Sequence, residues 1–299
     1  KLIKTRPASL FTSGFYKEDL LKDDIERLKS FYRSQGYADV KIDYETGYYS
    51  AAKGQMFITI RIDEGRKYTV GEVILKNNKD FTDQDIKKVL KQALGGKVFS
   101  QDAMREDVSA IQSLYFDKGY IFAQADESTF LNTATDKVDI TYTIDEGVVA
   151  YVDNINIRGN VKTKDVVIRR EMRIFPGDRF DGEKLNRSKQ RLQNLGFFEE
   201  VSYDIEPSDS KAPDKRDLVV EVKESKTGEF SFGGGYSSVD KLIGFVEIAQ
   251  KNFDWRNFPY FTGGGQNLSV RAELGSLAKN YELSFTEPWM FDYPVSFGF

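Results

Sequence analysis

Carboxylates are the side chains of this sequence that could carry acid–base chemistry, because the chain contains no histidine and no cysteine. An Asp-Glu pair followed by glycine occurs twice, at Asp63-Glu64 and Asp145-Glu146. Paired carboxylates serve as general acid and base when their pKa values are held apart. Each pair follows an alternating apolar run typical of a β-strand, so we interpret both pairs as strand ends. The sequence therefore predicts no catalytic residues and no enzyme activity.

Composition argues against several other classes of protein. The net charge of −4 over 299 residues does not provide the basic surface that nucleic-acid binding requires. Without cysteine there is no thiolate metal site, and without histidine the commonest metal ligand is missing, so we expect no metal ion. No apolar run approaches the roughly 18 residues of a transmembrane helix. No signal peptide opens the chain, and its last residues interrupt an alternating pattern, so we interpret it as an internal segment of a longer protein.

An internal repeat organises the first three quarters of the chain. Three helical apolar stripes end at a glycine followed by an aromatic residue, at Gly36-Tyr37, Gly119-Tyr120 and Gly196-Phe197. Each glycine suits the left-handed position that closes a helix. Two strand-like runs follow each glycine, and the second alternates as a half-buried antiparallel strand does.

A further strand, a turn and a short helix come before the second and third long helices. Thr82 and Thr163 are the expected N-caps of the short helices, and Ser100 and Asp181 those of the long helices. The repeating unit is therefore β-α-α-β-β. The predicted fold class is α+β, with a partial repeat at 1–65 and complete repeats at 66–147 and 148–225.

The composition changes near Lys226, where the helical period gives way to a β-meander over 226–299. Runs such as 267–274 and 281–286 alternate apolar and polar residues. A soluble sheet would alternate in the same way, but its turns would be polar, whereas the connections here are crowded with aromatic residues. Such turns are expected at a bilayer interface. These connections favour a membrane barrel over a soluble sheet but leave both open; in a barrel, Arg271, Glu273 and Glu282 would face a wet interior.

Specific motifs strengthen this interpretation. The third repeat contains Ile157-Arg158-Gly159-Asn160 and Ile168-Arg169-Arg170-Glu171-Met172-Arg173, and the last quarter contains Gln250-Lys251-Asn252-Phe253 and Ser284-Phe285-Thr286-Glu287-Pro288-Trp289. In this order the motifs resemble the BamA/TamA outer-membrane assembly superfamily, especially its BamA-like β-barrel assembly proteins, and the repeats resemble POTRA domains. The chain departs from the family pattern by an inserted segment, 254–265, where relatives have a short turn. We interpret this segment as an extra surface loop or an aromatic interface anchor.

The resemblance implies an outer-membrane protein assembly factor that works without a cofactor. Its POTRA repeats would lie in the periplasm, and residues 226–299 would be the first antiparallel strands of a transmembrane β-barrel. The implied partners are unfolded outer-membrane proteins, accessory assembly lipoproteins and outer-membrane lipids. Open sheet edges could receive client proteins by strand augmentation, although such edges could equally be merely solvated. The edge residues that the resemblance implies are Ala38, Val40, Ile42, Phe122, Gln124, Val201 and Tyr203.

Two more sites follow from the same resemblance. The first barrel strand would meet the last in a seam that opens sideways, formed here by Phe230, Phe232, Gly233, Gly234, Gly235 and Tyr236. Glycine weakens a strand interior, which suits such a seam, but these glycines could instead accommodate curvature or a bulge. Contact with an accessory lipoprotein is implied for Arg169, Arg170 and Glu171, which we expect on a solvated helix face.

Three alternatives remain at this point. A TamA-like assembly factor would differ in its total number of repeats, and a two-partner secretion transporter would have fewer repeats than this chain. A soluble periplasmic peptide-binding scaffold would have no barrel, and alkali or urea would extract its full-length form from membranes.

Overall fold

The computed structural model describes residues 2–5, 15–50, 55–92, 95–210, 212–238, 241–276 and 278–299. The chain divides into two compact units, one formed by 1–116 with 120–148 and the other by 117–119 with 149–299. Across the described ranges, none of the helices has the length and apolar character needed to cross a membrane.

The first unit contains the first and second repeats. In chain order its elements are α1 (Glu18–Ser34), β1 (Lys41–Ser50), β2 (Gln55–Asp63), β3 (Thr69–Lys76), α2 (Asp83–Val89), α3 (Gln101–Phe116), β4 (Gln124–Asn132) and β5 (Lys137–Asp145). The antiparallel pair β1–β2 belongs to the first repeat, and β3, β5 and β4 form the sheet of the second, in that order.

The sheet of the second repeat is mixed. Its central strand, β5, pairs antiparallel with β4 but parallel with β3. The expectation of antiparallel pairing is thus correct for one neighbour and wrong for the other, because two helices after β3 allow the crossover that a parallel pair requires. The alternation is as predicted, since Val138, Ile140, Tyr142 and Ile144 are all buried in the core.

The predicted helix caps are largely present. Thr82 accepts the Asp85 N–H at 3.2 Å, Ser100 the Ala103 N–H at 3.3 Å, and Asp181 the Lys184 N–H at 2.9 Å. Thr163 is not a cap, and this prediction is wrong. Lys164 occupies the N-cap position of the short helix, and the Thr163 hydroxyl is engaged elsewhere.

The Asp-Glu-Gly motif of the second repeat has a structural role. Glu146 accepts the N–H groups of Lys79 and Asp80, at 2.7 and 3.0 Å, and the Tyr115 hydroxyl at 2.8 Å. Burial, assisted by this carboxylate, raises the pKa of Tyr115 above its ordinary value. Glu224 makes the equivalent bonds in the third repeat, to the N–H groups of Lys162 and Thr163. These glutamates tie the end of the last strand to the turn before the short helix.

The second unit contains the third repeat and a separate sheet. Its elements are β6 (Tyr151–Arg158), α4 (Asp165–Arg169), α5 (Gly182–Asn194), β7 (Phe198–Pro207), β8 (Lys215–Glu224), β9 (Gly228–Ser237), β10 (Lys241–Phe253), β11 (Gln266–Gly275), β12 (Lys279–Glu287), a 3-10 turn (Met290–Asp292) and β13 (Phe297–Gly298). The repeat sheet has the order β6-β8-β7, and the last sheet is the antiparallel meander β13-β12-β11-β10-β9.

The register of the meander separates two faces. The apolar face carries Phe230, Phe232, Tyr236, Leu242, Val246, Ile248, Leu268, Val270, Leu274, Tyr281, Leu283 and Phe285. The polar face carries the three predicted charged residues, with Glu282 opposite Arg271 in the register. Arg271 bonds to Glu273 at 3.1 Å and lies 4.3 Å from the centre of the Phe245 ring.

Replacing Glu146 with alanine is expected to destabilise the second repeat by roughly 1–3 kcal/mol, because two backbone N–H groups and a buried hydroxyl lose their acceptor. Hydrogen exchange at the buried amides of β5 measures the change and should become faster. The matched control is Glu127→Ala on β4, whose side chain is exposed. An equal effect of the two substitutions would contradict the structural role of Glu146.

Candidate functional site

Two repeats present an open sheet edge on the strand that follows the glycine at the end of the long helix. β4 lies at the edge of the second repeat and β7 at the edge of the third. Both strands have a backbone partner on one side only among the described residues. Their other side carries unpaired N–H and C=O groups that an extended segment could join.

The implied edge residues occupy different environments. Val40, Ile42 and Val201 are buried in repeat cores, so their side chains are not available to a client protein. Tyr203 is partly buried, and its hydroxyl lies 4.0 Å from the sulfur of Met172. At such positions only the backbone edge could bind an extended segment.

Two of the remaining implied edge residues lie outside the strands in which we predicted them. Ala38 and Phe122 lie in turns before β1 and β4, which begin later than we expected. The reason is that a reverse turn follows each helix glycine, closed for example by the Ala123 N–H donating to Tyr120 at 3.1 Å. Gln124 is exposed at the first position of β4.

The seam residues lie on β9, which is an edge strand of its sheet. Phe230, Phe232 and Tyr236 project from the apolar face and are exposed. The glycines between them differ. A Cβ on Gly233 would lie 2.8 Å from the Phe245 ring, whereas one on Gly235 would meet nothing within 4 Å. A side chain at Gly233 would therefore displace the Phe245 ring, whereas one at Gly235 would displace nothing.

The inserted segment 254–265, which connects β10 to β11, lies against the third repeat; we call it the docking loop. The carbonyl of Gly263 accepts the Lys164 N–H at 3.0 Å. At φ +107°, a Cβ on Gly263 would lie 2.1 Å from the carbonyl oxygen of Lys162. Only glycine permits this approach of two backbones.

Asn252, at the end of β10, connects the docking loop to the repeat. Its buried side chain donates to the Thr163 hydroxyl at 2.9 Å and accepts the Gly265 N–H at 2.8 Å. Its backbone carbonyl accepts the Gly263 N–H at 2.8 Å. Beside it, the buried carboxylate of Asp254 pairs with Lys164 at 2.5 Å. The third repeat and the meander are therefore joined by buried polar contacts.

Arg170 and Glu171 belong to this junction, which corrects their expected placement on a solvated face. Glu171 accepts from Arg191 at 2.8 Å and from the Trp289 indole N–H at 3.2 Å. The Arg170 guanidinium lies 5.5 Å from the centre of the Trp289 ring. Burial lowers the pKa of Arg170, while the neighbouring Glu171 acts to raise it.

Arg169 is the member of this trio that remains accessible. Its side chain is half-exposed, pairs with Asp165 at 2.8 Å and donates to the carbonyl of Ile155 at 2.9 Å. Its position is compatible with contact to another protein, whereas Arg170 and Glu171 are covered by the meander.

The sequence contains the parts of this junction as the motif with Asn252, the inserted segment 254–265 and the glycines 263–265. Their contact with Thr163 has no local signal in the sequence, because the two segments are far apart along the chain. Within the described part of the chain, no group of three or more acidic residues could hold a metal ion.

Comparison with known proteins gives two matching families. A model of the POTRA family, described as a surface antigen variable number repeat, matches residues 1–65, 68–147 and 150–225. A model of the Omp85 superfamily domain matches residues 261–299.

Similar proteins include the outer membrane protein assembly factors BamA of Nitratidesulfovibrio vulgaris and Neisseria meningitidis. Each is 30% identical over 97% of this chain, which spans 36% and 35% of their lengths. Among solved structures, BamA from Haemophilus ducreyi lacking POTRA domains 1-3 is 29% identical, with a TM-score of 0.66 over 77% of this chain and 42% of that one. POTRA3-5 of Haemophilus influenzae BamA shares the fold, with a TM-score of 0.60 at 23% identity over 75% of this chain and 88% of that one.

Replacing Gly263 with alanine is expected to separate the docking loop from the third repeat, because the new Cβ would overlap the Lys162 carbonyl. Hydrogen exchange at the amides of Lys164 and Gly265 should accelerate about fivefold or more, since each loses a bond that contributes about 1 kcal/mol or more.

Gly177→Ala is the matched control for this substitution. Gly177 also has a positive φ, +90°, but a Cβ there meets nothing within 4 Å. It therefore carries the backbone strain without the overlap. If Gly177→Ala accelerated exchange at Lys164 and Gly265 as much as Gly263→Ala does, the docking contact would not be the cause.

Proposed function

The chain belongs to the family of POTRA-repeat proteins that continue into an Omp85 superfamily domain, and from this premise we propose that it is part of an outer-membrane protein assembly factor. Its repeats lie in the periplasm and bind unfolded outer-membrane proteins. Its meander supplies the first strands of a membrane-spanning barrel. The observation that carries the proposal is a POTRA-type repeat joined by buried contacts to a sheet with one apolar face.

The apolar face argues against the soluble scaffold. Ile248 in the middle of β10 is 60% exposed, and Phe232 and Leu283 on other strands are exposed beside it. A continuous apolar surface of this kind is unusual on a protein surrounded by water and is expected against lipid.

We place client binding at β4 in preference to β7. The second half of β4, residues 128–132, carries no charge, and Phe130 and Leu131 are exposed there, Phe130 by 67%. β7 instead carries Glu199, Glu200, Asp204 and Glu206. Charges along an edge discourage pairing with another strand, whereas an uncharged edge with exposed apolar side chains favours it.

Strand augmentation at β4 would be weak and reversible, as transfer of a client requires. Each backbone hydrogen bond contributes about 0.5–1.5 kcal/mol net, and burial of one phenylalanine about 1.5–3 kcal/mol. Part of this gain is offset by the entropy lost when an unfolded segment becomes ordered. Main-chain hydrogen bonding also tolerates many client sequences, because it depends little on the side chains of the client.

The lateral seam is the second element of the proposal. β9 is the strand that would meet the last strand of a closed barrel, and its edge is open in this sheet. Gly235 leaves space unfilled on this strand, which weakens it without any packing requirement. Accessory lipoproteins would contact the third repeat at Arg169, the half-exposed residue of the implied trio.

Replacing Phe130 with glutamate is expected to weaken binding of an unfolded barrel protein to the full-length assembly factor. The loss of apolar burial and the new edge charge together should reduce affinity about tenfold, or about 1.4 kcal/mol. Photocrosslinking from position Thr129 and titration with a labelled client strand would measure it. Phe175→Glu, at a phenylalanine of the third repeat that is also more than half exposed, should have no effect. Equal losses in both variants would exclude β4 as the specific edge.

Replacing Gly235 with threonine is expected to slow client insertion, because a β-branched residue favours the strand conformation and makes the seam harder to open. The measurement is the rate of barrel assembly in proteoliposomes that contain the full-length protein. Gly244→Val, on the interior strand β10, stabilises the sheet away from its edge and should leave the rate unchanged. An unaltered rate for Gly235→Thr would argue against an opening seam.

A further inference from the structure

The docking loop has a second side, and it is aromatic. Trp255, Phe258 and Tyr260 are 57%, 78% and 78% exposed, although they lie within one short loop. The loop's other side makes the buried polar contacts with the third repeat described above. A connection between strands in water would normally be polar, so this exposure requires an explanation.

The exposed rings are continuous with the apolar face of the meander. Phe258 contacts Phe261 edge-on at 5.5 Å, and Phe261 stacks on Phe253 at 6.0 Å. Phe253 in turn meets Phe285 at 6.5 Å. Phe285 lies opposite Leu268 on the apolar face. An unbroken path of ring contacts thus runs from the loop to the surface that would meet lipid.

The position of the loop specifies which part of the membrane it would meet. It connects β10 to β11 at the end of the sheet that is docked on the third repeat, and that end faces the periplasm in the proposed function. The guanidinium of Arg256 lies 4.9 Å from the centre of the Trp255 ring. Indole and phenol rings with a cation beside them suit the boundary between acyl chains and anionic headgroups.

We propose that the docking loop is a lipid anchor. Trp255, Phe258 and Tyr260 enter the interface of the periplasm-facing leaflet, and the opposite side of the same loop holds the third repeat, so the repeat is kept at a fixed height below the bilayer. This inference rests on the proposed function, because it requires the meander to lie in the outer membrane. Its occupant is lipid, not a protein partner.

The test uses the full-length protein reconstituted in bilayers, with single cysteines introduced on a background from which any other cysteine has been removed. Phe258→Cys carries a polarity-sensitive fluorophore, which is quenched by lipids with a nitroxide at a known depth. Ile248→Cys on the apolar face is the lipid control, and Ser109→Cys on the exposed side of α3 is the aqueous control. The 299 residues themselves contribute no competing cysteine.

We expect quenching at Phe258→Cys to be strongest with nitroxides near the headgroups, and at Ile248→Cys with nitroxides deeper in the acyl chains. If Phe258→Cys were as unquenched as Ser109→Cys while Ile248→Cys was quenched, the anchor would be refuted and the membrane position of the meander would stand. If Ile248→Cys were also unquenched, the proposed membrane sheet itself would be wrong, and the anchor with it. Quenching lost on adding lipid-free accessory proteins would assign the loop to a protein partner and likewise overturn the proposal.

Discussion

A buried amide side chain must find hydrogen-bond partners, and the arrangement of the second unit depends on how Asn252 meets this requirement. Its donor and acceptor groups reach a hydroxyl of the third repeat and a backbone N–H of the docking loop. One side chain therefore fixes three elements at once. Gly263 makes the arrangement possible by allowing the loop backbone to contact that of the repeat, and the half-exposed Lys164 pairs with the buried carboxylate of Asp254.

The repeats use the same solution internally, with different residue types. A buried polar group on the long helix accepts backbone N–H groups of the segment before that helix: Asp24 in the first repeat, Asp107 in the second and Ser188 in the third. A glutamate at the end of the last strand does the same for the turn before the short helix. These contacts satisfy backbone N–H groups that the secondary structure of a small repeat does not pair.

Local patterns in the sequence predicted what is local in the structure. The alternation of β5, the caps at Thr82 and Asp181 and the two faces of the meander all follow from spacing along the chain. The junction did not, because its partners are distant: the Thr163 hydroxyl bonds to Asn252, and Glu171 to Trp289. Two glycine triplets that look alike in the sequence also differ, since 233–235 accommodates an aromatic ring and 263–265 admits another backbone.

Phe261 shows why the two sides of the docking loop depend on each other. Its φ of +48° is unfavourable for a bulky residue, by about 1–3 kcal/mol, and persists only where surrounding contacts impose it. On one side its ring stacks on Phe253; on the other its N–H donates to Asn257 at 2.6 Å and its carbonyl accepts from Asp254 at 3.2 Å. Weakening either set of contacts lets this residue relax, and the relaxed backbone could no longer present Gly263 to the repeat. The ring contacts that lead to the apolar face and the docking of the loop on the third repeat are therefore coupled through one strained residue.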